Sequence, residues 1–261
     1  MFTPLFLKPE KCPNARNKLG SLCRVIPAPL ALMVGVGCIR ALAALNRAGY
    51  VNRFVTPYNF AVTNPPTREN ILHGIIITDL SAALPWPLKP RVFVPFIGTY
   101  RYSSVRAHWG REQGPSDDII SVIFMVAEWL HGKLPWRSLG FDEDRICFIK
   151  TYFYKTKAFK KLPREIRGVY KYLLIFLPLA FASVLLIKHT SKYIRIASAE
   201  RFTDCAEIRI WEIYRKMYEV ACTTAIDFKW VIGEFGKALN KRDPNGEYQI
   251  PSWLLIEQTD E

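Results

Sequence analysis

The apolar positions along the chain predict a mainly helical domain. Residues 30–46 are rich in alanine and leucine, a composition that favours a helix. Residues 119–130 are apolar nearly all round, and a helix with this pattern is typical of the middle of a domain. Ser116 can cap this second helix and Gly132 can end it.

Strand signals are fewer than helix signals. Residues 74–78 form a β-branched run, and a short apolar segment ends at Val62 before them, so one small β-hairpin is expected. The long segment 79–106 is irregular and rich in proline. Residues 163–171 and 206–222 are predicted to be further helices.

The chain carries an excess of basic residues. It has 36 Lys and Arg against 23 Asp and Glu, a formal net charge of +13 over 261 residues. A basic chain can bind an acidic protein, a membrane surface or nucleic acid. Cations and aromatic residues alternate over residues 150–171, a mixture that can bind single-stranded nucleic acid. Because no RNA-recognition or zinc-finger signature accompanies it, we interpret this segment as a solvated helix with aromatic anchors.

Composition excludes several classes of protein. Half of the residues are hydrophobic, so the chain can bury enough surface to fold and is not intrinsically disordered. The six cysteines contain no C-x-x-C pair, which excludes a zinc ribbon, a thioredoxin motif and a dense disulfide scaffold. The chain also contains no Asn-x-Ser/Thr sequon. We therefore expect an intracellular location, cytoplasmic rather than nuclear.

One uncharged run raises the question of membrane contact. Sixteen uncharged residues, 172–187, lie between Lys171 and Lys188, with Pro178 near their middle. A spanning helix usually needs about 20 apolar residues, with roughly 17 as the lower end. Three interpretations stay open: a membrane span, a buried helix, and an insertion packed on the domain surface.

Five short segments, taken in order, resemble the protein kinases. Residues 49–60 resemble a catalytic loop, 76–81 a strand with its Asp-Phe-Gly motif, and 98–104 the end of an activation segment. The pair 117–118 opens the buried helix, and 134–137 follow its end. The resemblance is to the casein kinase 1 family and is nearest to its tau-tubulin kinase branch. It implies a mainly α (α+β) protein kinase-like fold, with a helical C-terminal lobe and a small β-hairpin.

The resemblance also divides the chain. It implies a basic irregular segment at 1–29, a kinase-like large lobe at 30–236 and a tail at 237–261. Within that lobe, 174–196 would be an apolar insertion, which a membrane contact, a partner-binding segment or a faulty gene model would each explain. Because residues 1–29 contain neither a G-x-G-x-x-G motif nor a strand lysine, we expect the N-terminal lobe to be absent or vestigial.

The catalytic positions that the resemblance implies are changed. Phe54 stands where active kinases have the aspartate that orients the substrate hydroxyl. Thr56 stands at the lysine that neutralises the transferred phosphoryl group, and Asn52 at the histidine that opens the motif. Arg53 is retained, and we expect Arg53 and Arg101 to pair with acidic groups or to bind a phosphate. These replacements predict a catalytically inactive domain.

The metal-binding positions that the resemblance implies are retained. Asn59 and Asp79 match the family's Mg²⁺ ligands, and we regard them as a vestigial metal site. Ser81 replaces the glycine that follows, which limits the backbone freedom of that turn. Asp118 is implied to tie the catalytic loop to the buried helix. A plainer interpretation also exists, in which Asp79 caps a turn and Asn59 hydrogen-bonds the loop backbone.

Three functions follow. The leading hypothesis is a pseudokinase that binds an acidic or phosphorylated protein. The first alternative is an active Ser/Thr protein kinase whose N-terminal lobe is missing from the gene model. The second is a membrane-associated kinase-like fragment. We expect no cofactor unless kinase activity remains, in which case Mg·ATP is required. No H-E-x-x-H or G-x-S-x-G motif supports a hydrolase.

Overall fold

The structure is helix-rich, with two small sheets. It is a computed structural model, and it describes residues 2–4, 25–63, 66–91, 93–175 and 222–250. The helices in chain order are α1 (Ala28–Arg47), α2 (Arg68–His73), α3 (Val105–His108), α4 (Pro115–His131), α5 (Glu143–Thr151), α6 (Lys157–Lys161), α7 (Arg164–Ile175) and α8 (Phe228–Asn240). The strands are β1 (Phe2–Pro4), β2 (Tyr50–Val51), β3 (Phe60–Thr63), β4 (Ile75–Ile77) and β5 (Leu84–Pro85).

Helix α1 is the centre of the fold and packs on α2, α4 and α8. Its residues are buried from Leu30 to Ile39 and again at Leu42 and Ala43, which agrees with the helix predicted at 30–46. Within the described parts of the chain, α1 alone has the length and apolarity to cross a membrane, and two thirds of its apolar window is buried inside the protein. Of the uncharged run 172–187, the described residues include only those that end α7 at Ile175.

Helix α4 confirms the predicted buried helix but begins differently. Its N-cap is Gly114, not Ser116 as expected. Pro115 occupies the first turn, where its missing N–H costs nothing, and the Asp117 carboxylate accepts the Gly114 N–H at 2.8 Å. The helix ends at Gly132, as predicted, with a left-handed φ of 87°.

The two sheets are small and antiparallel. The first has the order β1-β3-β4, and the second pairs β2 with β5. The predicted hairpin is present as β3 and β4, but α2 lies between them. The Thr67 side chain caps α2 by accepting the Asn70 N–H. The helix predicted at 206–222 lies outside the described residues except for its last position.

An aromatic cluster fills the core beneath α4. The ring of Phe124 lies edge-on to Trp136 and to Phe153, with centroids 5.0 and 5.1 Å apart. Phe153 also contacts Tyr170 and Phe159. Three of these rings come from the basic aromatic segment, 150–171, and act as the aromatic anchors expected there. The segment is not a single helix, however, because it comprises the end of α5, α6 and part of α7.

Candidate functional site

One buried carboxylate sets the shape of the loop between β2 and β3. Asp118, in the first turn of α4, accepts the backbone N–H groups of Asn52 and Arg53, each at 2.8 Å. Arg53 has a φ of 67°, which side chains rarely adopt. The two hydrogen bonds therefore fix a backbone turn that is unfavourable on its own, and Asp118 ties the loop to α4 as the sequence implied.

Burial dominates the electrostatics of this carboxylate. It raises the pKa of Asp118 from 3.8 to about 7, while the N–H groups of Asn52 and Arg53 act in the opposite direction. The neighbouring charge of Asp117 adds to the rise. Such a group is typical of a structural tie, because both of its oxygens are already engaged by the backbone.

Further hydrogen bonds link the loop to the turn that follows β4. The Asn52 amide donates to the Asp79 carbonyl at 3.3 Å, and its oxygen accepts the Phe54 N–H at 3.0 Å. The Asn59 amide donates to the Phe54 carbonyl at 2.8 Å, and the Thr78 N–H donates to the Asn59 carbonyl at 3.0 Å. The loop and the turn after β4 thus form one hydrogen-bonded unit.

Asp79 caps the turn after β4. Its Oδ1 accepts the Ser81 N–H at 2.8 Å, and this interaction lowers the pKa of the carboxyl. Hydrogen bonding to its charged form therefore keeps Asp79 negative, as a Mg²⁺ ligand has to be. In the described ranges no group of three or more His, Cys, Asp or Glu side chains lies close enough together to hold a metal ion.

Comparison with known proteins gives a consistent result. A Dictyostelium discoideum protein named as a serine/threonine-protein kinase is 33% identical over 148 residues, which is 54% of this chain and 29% of the relative. A casein kinase I from Caenorhabditis elegans is 34% identical over 131 residues, 48% of this chain and 36% of the relative. A casein kinase I homologue from Encephalitozoon cuniculi is 30% identical over 143 residues, covering 52% and 47%.

Over about half of its length, the chain is similar to casein kinase 1-like protein kinases. It spans less than half the length of each of these relatives. No family model matches the chain.

The kinase-like loop holds two residues without acid–base chemistry. Phe54 is part-exposed and presents a phenyl ring, which can neither accept nor donate a proton. Thr56 is buried, and its backbone carbonyl accepts the Asn59 N–H at 3.1 Å. The loop therefore combines an ordered backbone with two side chains, Phe54 and Thr56, that offer neither a general base nor a cation.

Arg53 is held in an ion-paired network. Its guanidinium lies 3.3 Å from Glu112 and donates to the Ala82 carbonyl at 2.8 Å. Arg91 contacts the same Glu112 through two hydrogen bonds, at 2.7 and 3.1 Å. Of the two expectations for Arg53, pairing with an acidic group is the one observed. Sequence reasoning missed Glu112, because no local spacing relates it to either arginine.

Arg101 also pairs with an acid. Its guanidinium lies 3.0 Å from Glu128, and Arg137 approaches the same carboxylate oxygen at 3.4 Å. The Tyr102 hydroxyl donates to the other oxygen of Glu128. Two guanidinium groups thus share one carboxylate and remain 31% and 46% exposed, so a net positive charge faces solvent here.

A buried lysine was missed by the sequence interpretation, which counted Lys150 among solvated cations. Its ammonium is fully buried, donates to the Ser103 carbonyl at 2.6 Å and lies 3.0 Å from His108 Nε2. Burial lowers its pKa well below the usual value, and cation–π contacts with Phe124 and Trp136 partly replace water. Lys150 therefore fastens α5 to the segment before α3.

Proposed function

We propose that this chain is a catalytically inactive kinase-like domain of the tau-tubulin kinase type that binds a protein partner. The observation that carries the proposal is the contrast within one loop. Asp118, Asn59 and Asn52 keep the loop backbone in a single hydrogen-bonded form, whereas Phe54 and Thr56 occupy its catalytic positions.

Phosphoryl transfer depends on positioning and on neutralising charge, because the protein supplies little covalent chemistry. A phenyl ring at Phe54 cannot orient a substrate hydroxyl, and the hydroxyl of Thr56 cannot neutralise a transferred phosphoryl group. The proposal rests on these two positions and holds whether or not a Gly-rich lobe precedes the chain.

The partner that we propose is an acidic or phosphorylated protein in the cytoplasm. The net charge of +13 favours association with acidic surfaces at long range. At short range, Arg101 and Arg137 present two half-exposed guanidinium groups against the single carboxylate of Glu128. Guanidinium groups bind carboxylates and phosphates through paired hydrogen bonds, so this pair is a suitable contact point.

Fluorescence polarisation with a labelled acidic phosphoserine peptide tests this proposal. We expect Arg137→Gln to weaken binding about tenfold, because it removes one charge-assisted contact. Arg145→Gln is the matched control. Arg145 is also an exposed arginine, at 72%, but it lies on α5 and pairs with Asp142 instead of Glu128. Equal binding by both variants, or no binding by the unmodified chain, would contradict the proposal.

A second candidate function is an active Ser/Thr protein kinase, and Asn59 and Asp79 favour it. The Asn59 amide nitrogen is engaged by Phe54, which leaves its oxygen to act as a ligand, and Asp79 supplies a carboxylate. Mg²⁺ is usually held by one or two such groups together with nucleotide phosphates. These residues would hold the ion, which would neutralise phosphate charge. Activity would then have to proceed without a base at Phe54.

A further inference from the structure

A cleft of about 570 Å³ lies between α3 and α5. One wall is the segment around Phe93 and Phe96, and the opposite wall is the first turn of α5. None of the residues that line it belongs to the catalytic loop, to the turn at Asp79, or to the Arg101 and Arg137 pair. The cleft is therefore a separate surface from the proposed catalytic remnant and from the proposed acidic-partner contact.

Aromatic rings form the open side of this cleft. Phe93 is 71% exposed and rests against Gly110, where an added Cβ would lie 2.7 Å from the ring. The Val94 N–H donates to the Gly110 carbonyl at 2.9 Å and holds that wall in place. The Phe96 ring stacks on Tyr100 with centroids 4.7 Å apart. Large contiguous apolar patches, unlike single exposed rings, often mark sites of interaction.

The exposed apolar surface extends beyond the cleft itself. The Phe141 ring is 86% exposed and lies edge-on to Tyr100, with centroids 6.0 Å apart. Tyr100 in turn stacks on Phe96, so these rings form one continuous aromatic surface. This continuity distinguishes the surface from the isolated exposed rings that any protein carries.

The side of the cleft at the start of α5 is acidic. Its described lining carries the carboxylates of Asp142, Glu143 and Asp144 and no lysine or arginine. Asp142 caps α5 by accepting the Arg145 N–H, so Asp142 has a structural role. Capping does not explain Glu143, whose Oε1 lies 3.4 Å from His108 Nδ1 on the opposite helix.

His108 orients Glu143 without neutralising it. Burial and the Lys150 charge lower the pKa of His108 to about 3, so its imidazole is uncharged near neutral pH. A carboxylate only accepts hydrogen bonds, so Nδ1 carries the proton and Nε2 faces the Lys150 ammonium as an acceptor. The Glu143 carboxylate is thus held at the cleft by an uncharged imidazole and is 41% exposed.

We propose that this cleft is a docking site for a basic peptide segment of another protein. An arginine or lysine side chain of the segment would lie against Phe93, with its charge toward Glu143. Aromatic faces and carboxylates together are the chemistry that recognises such cations. Charge complementarity selects this occupant, because the cleft is acidic within a chain of net charge +13.

Fluorescence polarisation with the full chain tests the site. The probe is a fluorescein-labelled decapeptide of arginine, leucine and glycine, and the control peptide has glutamate in place of each arginine. We expect the arginine peptide to bind, and Phe93→Ala and Glu143→Gln each to weaken binding about tenfold. Phe148→Ala is the matched control: Phe148 is 64% exposed on α5 but does not line the cleft, so binding should be unchanged.

The net positive charge of the chain makes this test stringent, because it repels a basic peptide everywhere except at a local acidic site. Thermal unfolding of each variant verifies that it is folded. The proposal would be overturned if the arginine peptide did not bind at low salt, or if its binding were unchanged in both Phe93→Ala and Glu143→Gln. It would also be overturned if the glutamate peptide bound more tightly than the arginine peptide and bound the variants and the unmodified chain equally. Self-association that both variants abolish would also overturn it, because the occupant would then be a second copy.

Discussion

Asp118 accepts two backbone N–H groups at 2.8 Å while buried in the first turn of α4. A buried donor that loses its acceptor keeps the full cost of its desolvation. The form of the catalytic-like loop therefore depends on a residue that lies 66 positions away from Asn52 in sequence. The backbone shape of the loop and the side chains at Phe54 and Thr56 therefore depend on different residues.

Replacing Asp118 tests this dependence. Asp118→Ala leaves two buried N–H groups without an acceptor and should lower the free energy of unfolding by about 3 kcal/mol. Asp118→Asn keeps one acceptor and should cost roughly half as much. Urea denaturation measures the free energy of unfolding of both variants. Asp79→Ala is the control, and its free energy of unfolding should fall less because the Asp79 carboxylate contacts water. Equal stability of Asp118→Ala and the unmodified chain would refute the structural role.

His108 gives a second prediction, for pH dependence. Its pKa falls from 6.5 to about 3 on folding, so between these values the unfolded chain binds a proton that the folded chain does not. Stability should therefore fall as the pH drops from about 6.5 toward 3, by about 2 kcal/mol at pH 5. His108→Gln should lack this component. Urea denaturation of the unmodified chain and of His108→Gln at pH 7 and pH 5 measures this loss of stability. An equal loss in the two proteins would contradict the attribution to His108.

Among the elements, the helices with strong patterns were predictable and the contacts between them were not. The buried helices α1 and α4 follow from apolar periodicity, which acts locally. The N-cap at Gly114 was missed because Asp117 reaches back over Pro115, and Lys150 was missed because its partners come from 42 and 47 positions earlier. The loop residues could be placed by resemblance, whereas Glu112 could be placed only by the fold.

The packing of α1 makes a prediction about glycine. A Cβ at Gly37 would lie 2.1 Å from the Ile71 carbonyl oxygen and 2.6 Å from Ile75, so α2 and β4 would have to move. Gly37→Ala should destabilise the protein by about 2 kcal/mol despite the better helix propensity of alanine. Gly233→Ala in α8, where the added Cβ meets nothing within 4 Å, should instead stabilise by roughly 0.5–1 kcal/mol. Thermal or urea unfolding distinguishes the two signs, and stabilisation by both would show that α1 does not approach α2 so closely.

At the scale of the whole molecule, two surfaces of opposite charge accompany the loop that holds Phe54 and Thr56. The Arg101 and Arg137 pair is positive, and the cleft at Glu143 is negative. A domain arranged in this way can bring an acidic and a basic segment together without chemistry. The similarity to casein kinase 1-like kinases covers about half of the chain.

The most direct test of this account is phosphotransfer. The purified chain is incubated with Mg²⁺, ATP labelled in the γ-phosphate, and dephosphorylated casein, beside Asp79→Ala and Asn59→Ala variants. We predict that the unmodified chain transfers no more label to casein, or to itself, than either variant does, because Phe54 and Thr56 supply neither base nor cation. Incorporation that both variants abolish would show that the loop is catalytic and would contradict the central claim.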